Sequence, residues 1–178
     1  MIEIAKVNSL FIQNCGSCVL SSYAIVSNYF TNLPIEQFFE DYCRHFGLSF
    51  NTWQEAELAY AQHFDQEWRR RACRGYEVIL DLHQNSTQHV FEQSRKIFLG
   101  HFYLDSTVVV SELENQLRNE ESFLNITYEP GVNYHSITIF YDGINFRYRD
   151  TNNRSIGTIG LLTQIGRLRD SILYASKR

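Results

Sequence analysis

The chain's longest apolar run is Val19-Leu20-Ser21-Ser22-Tyr23-Ala24-Ile25-Val26-Ser27-Asn28-Tyr29-Phe30. At helical spacing Val19, Tyr23, Val26 and Phe30 fall on one side and Leu20, Ala24 and Ile25 on another. The pattern predicts a helix that is apolar almost all round, and therefore central and buried. Residues 4–12, short and apolar, read as an extended leading segment. Pro34, at a first helical position, and Gly47, as a stop, bound a second helix over 34–46 with the stripe Ile35, Phe38, Phe39, Tyr42 and Phe46. Thr52-Trp53-Gln54-Glu55 has the form of a capping box and opens a third helix through Phe64.

Beyond this the pattern changes. Tyr76 to Leu82 reads as a short strand, with a helix as the alternative, and Ser86 or Thr87 caps a helix running to Leu99. Ser111-Glu112-Leu113-Glu114 is a second capping-box match, with Leu113 and Leu117 facing inward. From Ser122 the runs become β-type: Phe123–Tyr128, His135–Tyr141 and Ile144–Arg149, the last two joined by Asp142-Gly143 as a two-residue hairpin. A polar loop after Asp150 leads to a last helix at 158–174. With no repeat or linker, the expectation is one α+β domain over residues 1–178, helical in its first half and β-rich in its second.

Composition narrows the function classes. A chain of 178 residues with 13 Phe and 11 Tyr can bury a substantial core. Its net charge of −4 argues against nucleic acid as a partner. The basic run Trp68-Arg69-Arg70-Arg71-Ala72-Cys73-Arg74 reads first as a solvated helix face or loop, and second as a site for an acidic partner. No apolar stretch reaches the ~18 residues of a membrane span, and Met1-Ile2-Glu3 lacks the basic start of a secretory signal. The expected location is the cytoplasm, or outside the cell by a signal-independent route. Four cysteines do not make a disulfide scaffold at this length.

The candidate chemistry begins at Gln13-Asn14-Cys15-Gly16-Ser17-Cys18. A tight Gly-Ser turn delivers Cys18 to the first turn of the buried helix, where unpaired N–H groups and the helix dipole favour thiolate over thiol. Cys18 is thus a candidate nucleophile. His135 opens a strand after the loop Gly131-Val132-Asn133-Tyr134, and Asp150 is symmetric with it about Asp142-Gly143. An antiparallel hairpin sets such residues side by side, so the Asp150 carboxylate is expected to orient the His135 imidazole.

The glutamine, the Cys-Gly-Ser-Cys turn heading a buried helix, and the distant strand-borne His with an Asp past a hairpin resemble the papain-like cysteine peptidase superfamily. The helix from Ser111 to Leu117, the strand around Leu124-Asn125-Ile126 and Tyr134-His135-Ser136-Ile137-Thr138-Ile139 are similar in order to its small bacterial members, the bacteriocin-leader-processing peptidases and YopT-type effector proteases. The resemblance spans roughly residues 10–30 and 110–155. It implies a papain-like α+β fold, with Cys on the central helix and His and Asp on an antiparallel sheet. It also implies a peptide or protein substrate, no cofactor, no metal, and a thioester acyl-enzyme. In that scheme Cys18 attacks, His135 is its proton partner, Asp150 orients the ring, and Gln13 donates to the oxyanion with the Cys18 N–H. The chain departs from the pattern in two places: Gln13 lies five residues before Cys18 where the family has six, and Val19 stands where Trp or Gly is usual. Cys15, followed by Gly16, is the alternative nucleophile; Cys18 is preferred because its register also places Ser22, Ala24, Val26 and Asn28-Tyr29-Phe30 as that helix has them. Asn152 is the alternative third member.

Other chemistries remain open from sequence. The same triad supports acyl transfer or deamidation. Cys15-Gly16-Ser17-Cys18 also has the form of a thiol–disulfide redox site, although neither Pro34 nor Pro130 is placed as the facing cis-proline of that fold. Zinc needs ligands beyond the Cys pair, for which Cys43, His45 and Cys73 are the candidates. A papain-like fold used only for binding is the non-enzymatic reading.

Overall fold

The computed structural model describes residues 1–70, 82, 97–103, 107–128, 135–159 and 171–177. The Cys-Gly-Ser-Cys turn opens helix α1, Cys18–Thr31, whose first ten residues are all buried. Asn32 ends it in the left-handed region at φ 59°, a conformation asparagine tolerates better than most residues. Helix α2, Ile35–Phe46, buries Ile35, Phe38, Phe39 and Tyr42, and Gly47 stops it at φ 66°. Pro34 is the extended residue just outside the helix, one position earlier than the sequence suggests.

Helix α3, Trp53–Arg70, runs six residues past the expected end at Phe64. The Thr52 hydroxyl accepts from the Glu55 N–H at 3.3 Å, while the Glu55 carboxylate reaches back to the Asn51 N–H at 2.7 Å, so the reciprocal bond lands one residue upstream of a capping box. The extension absorbs the start of the basic run: Arg69 pairs with Asp65 at 2.8 Å and Arg70 with Glu67 at 2.7 Å on an exposed face. Residues 71–74 of that run lie outside the described residues, as do 76–81 of the expected strand; Leu82 is buried.

Four further expectations fail. Ile97–Leu99, the expected end of a helix, belong to strand β1, Ile97–Tyr103. Of the last helix expected at 158–174, Thr158 ends strand β5, Ile156–Thr158, and residues 171–174 open strand β6, Ser171–Lys177, while residues 160–170 lie outside the described residues. Each was a short apolar stretch that periodicity alone does not assign, and pairing decides it, since β6 lies between β1 and β2, Ser122–Tyr128. Helix α4, Thr107–Asn119, begins four residues before Ser111, which makes that second capping-box match an interior sequence. The leading segment also contains a 3₁₀ turn over Ile4–Lys6 where extended chain is expected.

With β3, His135–Tyr141, and β4, Phe146–Arg149, the described strands form one antiparallel sheet in the order β1-β6-β2-β3-β4-β5. Its two faces carry different cores. Phe123 and Phe140 join the large cluster of α1, α2 and α3, whereas Leu124, Ile126, Ile139 and Phe146 pack with Leu113 and Leu117 of α4. This is the alternation expected of strands covered on both sides. Gly157 pairs with Tyr148, and a Cβ at 157 would meet that ring at 2.3 Å, so β5 closes onto β4 only because the position is glycine.

No helix among the described residues is long and apolar enough to cross a membrane. Within the helical core Phe39, fully buried, stacks with Phe11 at 6.0 Å and sits 5.9 Å from Tyr60. It thereby joins the leading segment to α3. Phe39→Ala is expected to lower unfolding stability by about 3–5 kcal/mol, read from urea denaturation; a loss under about 1 kcal/mol would show that this contact is not part of the packed core.

Candidate active site

Cys18 is the first residue of α1 and is 3% exposed. The turn before it is held from α3. Glu57, 1% exposed, accepts from the Asn14 N–H at 2.9 Å, the Ser17 hydroxyl at 2.8 Å and the Asn14 side-chain amide at 3.4 Å. Ser17 occupies the N-cap position, yet its hydroxyl is turned to Glu57 and Ser21 and not to the helix N–H groups. The N–H of Leu20 is satisfied instead by the Tyr60 hydroxyl at 3.2 Å, so α3 supplies both the brace of the turn and part of the cap.

His135, the first residue of β3, holds Asp150 Oδ2 at 2.9 Å through Nε2. The route to this contact differs from the expected one. The hairpin loop is four residues, 142–145, because Asp142 Oδ1 accepts from the N–H groups of both Ile144 and Asn145 and opens the turn. Tyr141 therefore pairs with Phe146 and Thr138 with Arg149, a register two residues from the expected one. Extending that ladder would put Asp150 opposite Ile137, making it a diagonal neighbour of His135. A slip of two residues keeps both side chains on one face, and diagonal pairs lie within reach of long side chains.

The electrostatics follow from this contact. The Asp150 hydrogen bond, and then one to Cys18, hold the His135 imidazolium, pushing its pKa up to about 9 against the opposing effect of burial. Burial works to raise the Asp150 carboxyl, but the His135 bond, the Asn152 N–H at 2.9 Å and the nearby positive charges outweigh it and leave Asp150 below the usual carboxylate range. Asn152 thus contributes its backbone N–H to the carboxylate.

Gln13 is held between the cysteine turn and the residue after Asp150. Its Nε2 donates to the Cys15 carbonyl at 2.9 Å, its Oε1 accepts from the Thr151 hydroxyl, and its N–H donates to the Thr151 carbonyl at 2.9 Å. The side-chain amide has a second N–H beyond the one given to Cys15. The shorter glutamine-to-cysteine spacing is accommodated by a tight turn in which the Ser17 N–H donates to the Cys15 carbonyl at 2.7 Å.

The two cysteines of the turn occupy different environments. Cys15 donates its thiol toward the Glu57 backbone carbonyl at 3.7 Å; burial first, and then the Glu57 carboxylate, push its pKa up to about 12. Cys18 is the one that meets His135. The residues considered for zinc do not gather there: buried Cys43 donates to the Ala56 carbonyl at 3.3 Å, His45 is exposed, and Cys73 lies outside the described residues. Among the described residues no group of three or more His, Cys, Asp or Glu side chains is arranged to hold a metal ion.

Two residues of the site escape a reading by motif. Arg149, fully buried, gives Nε to the Asn8 carbonyl at 2.9 Å, Nη1 to the carbonyls of Asp150 and Asn153, and Nη2 to that of Phe11. Nothing in Phe-Arg-Tyr-Arg distinguishes it from Arg147, which pairs with Asp142. Glu57 did leave a signal: it falls on the stripe of Tyr60, Ala61 and Phe64, and a carboxylate at a core position of an amphipathic helix needs a partner.

The ring's raised pKa fixes the sign of a pH effect. Stability from protonated His135 is fully present below its ordinary value near 6.5 and is lost as pH rises through about 9. Asp150→Ala removes the main support of the imidazolium, so the His135 ring protons, followed by NMR, are expected to titrate at a midpoint below about 9, and the loss of stability on the alkaline side to flatten. An unmoved midpoint would sever the link between the two residues.

No protein-family model and no curated protein sequence matches the chain. Among solved structures, the crystal structure of the Pseudomonas avirulence protein AvrPphB superposes on 90% of this chain and 90% of its own, at 10% sequence identity and a TM-score of 0.41.

Proposed function

We propose that the protein is a papain-like thiol hydrolase that cleaves peptide, isopeptide or related amide bonds. The observation that carries this reading is His135, bonded through Nε2 to Asp150 and also hydrogen-bonded to Cys18 at the head of a buried helix. A thiol at a helix N-terminus beside an imidazolium is suited to ionise, and a carboxylate behind the ring stabilises the ion pair.

In the proposed reaction the Cys18 thiolate attacks the carbonyl carbon, and the oxygen takes up negative charge facing the Cys18 N–H and the second N–H of Gln13. As the tetrahedral species collapses, the C–N bond breaks and His135 gives its proton to the departing nitrogen, leaving a thioester on Cys18. Water then attacks the thioester, the neutral ring taking its proton, and the carboxylic acid leaves as the C–S bond breaks and the thiolate–imidazolium pair is restored. Asp150 stays ionised throughout and holds the ring orientation. The proposed substrate class is a peptide or protein, as the resemblance to cysteine peptidases implies.

An electrophilic thiol-directed activity probe is expected to label the wild-type protein and not Cys18→Ala, while Cys15→Ala keeps its label. On a diverse peptide library Cys18→Ala and His135→Ala should each lower cleavage by about 10³-fold or more. Probe labelling that survives Cys18→Ala, or is lost only in Cys15→Ala, would overturn the assignment.

A further inference from the structure

The two cysteines of Cys15-Gly16-Ser17-Cys18 stand three residues apart in one turn, where either is a credible nucleophile from sequence. What separates them is a residue on another element. Glu57 lies on α3 with its side chain buried against the turn, and the groups around its carboxylate are donors: the Asn14 N–H and side-chain amide, and the Ser17 hydroxyl. A carboxylate placed among donors only accepts. The same residue's backbone carbonyl faces the Cys15 sulfur. The side chain and main chain of Glu57 therefore bracket Cys15, while Asn14 and Ser17, on either side of it, are anchored.

We propose that Glu57 is a positioning residue that makes the two thiols unequal: it pins the turn so that Cys18 starts α1 against His135, and it withholds Cys15 from nucleophilic chemistry by keeping its S–H a donor beside a fixed negative charge. The inference deepens the thiol-hydrolase reading by naming what selects its nucleophile. The charged group that bears on Cys15 is Glu57 on α3, with the Ser17 hydroxyl from its own turn; the one that bears on Cys18 is His135 on β3. The raised pKa of Cys15, about 12, agrees with the geometry. Cys15 then serves the turn with its carbonyl, which accepts from both Gln13 Nε2 and the Ser17 N–H.

The test needs no substrate. Each cysteine's rate of alkylation by iodoacetamide is followed by mass spectrometry of the intact chain's peptides, from about pH 6 to about pH 10, in wild type, Glu57→Gln and Glu57→Asp. In the wild type Cys18 is expected to react well ahead of Cys15. Glu57→Gln keeps the size and an acceptor but removes the charge, so alkylation at Cys15 should rise about tenfold or more near pH 8 and its pH midpoint should fall. Glu57→Asp, which restores the charge, should recover part of the discrimination. A merely structural role would change both cysteines alike and would not respond to the charge.

Unchanged Cys15 reactivity in a folded Glu57→Gln protein would overturn the proposal. Should that variant fail to fold, the wild type decides: a Cys15 midpoint at or below the ordinary cysteine value near 8.5 overturns it, and one well above it supports it. The outcomes separate the two readings. Loss of discrimination in Glu57→Gln together with no hydrolysis of any peptide leaves Glu57 as the selector and removes the hydrolase, whereas Cys18-dependent hydrolysis with unchanged Cys15 reactivity removes only the role of Glu57.

Discussion

The candidate site depends most on one fully buried guanidinium. The leading segment that carries Gln13 belongs to no strand of the described sheet, and the 150–155 loop that carries Asp150 leaves the sheet at the end of β4. Arg149 joins them by donating to two carbonyls on each side, those of Asn8 and Phe11 and those of Asp150 and Asn153. Its planar fork can satisfy several carbonyls at fixed angles, which a lysine ammonium cannot. Without it, the buried Phe11 carbonyl and the part-buried carbonyls of Asn8 and Asp150 would lose this donor. Burial lowers its pKa from the ordinary arginine value, with the Asp150 charge opposing, and the carbonyl cage offsets the cost of placing a charge there. The distance between the proposed oxyanion donor and the proposed orienting carboxylate is thus held by this side chain together with the direct bonds between Gln13 and Thr151.

Glu57 and Arg149 form a complementary pair of devices. Each is a buried charge held by polar groups of a loop instead of by an opposite charge, and each fixes one wall of the site: Glu57 the cysteine turn, Arg149 the aspartate loop. A carboxylate braces the segment whose N–H groups need acceptors, at the start of a helix. A guanidinium braces the segments whose carbonyls need donors. Removing either partner from such an arrangement leaves uncompensated polar groups, and this makes both positions rigid in geometry.

Much of this layout could be read from sequence where a single element decides the pattern. The all-round apolar run specified α1, and Gly47 and the α2 stripe set that helix because burial and a left-handed stop are local properties. Symmetry about Asp142-Gly143 sets His135 beside Asp150 in a register two residues from the observed one, and the contact survives because strand faces repeat with that period. Where a segment's state depends on a distant partner the reading failed. Residues 97–99 and 171–174 are apolar enough for either state, and distant pairing makes them strands: 97–99 lie opposite 175–177, and 171–174 lie opposite 100–103, with 172–174 also paired to 124–126 on the other side. Arg149 looks like any strand arginine because two of the four carbonyls it reaches, those of Asn8 and Phe11, lie more than a hundred residues away. Glu57 was visible as a charge on a helix's inner face, but its partner was not.

Strand β6 pairs with β1 on one side and β2 on the other, and β1 has no other neighbour in the described sheet. This order has a consequence for synthesis. As the chain leaves the ribosome, α1, α2 and α3 can begin to pack on one another, and β2, β3 and β4 can zip through near-neighbour hairpins. Residues 97–103, made much earlier, must wait some seventy residues for 171–177 before they gain a ladder. During that interval β1 and the exposed edge of β2 offer unpaired backbone groups to any other strand, including one from a second nascent chain. The hairpin holding His135 beside Asp150 can therefore assemble before the sheet that supports it is closed.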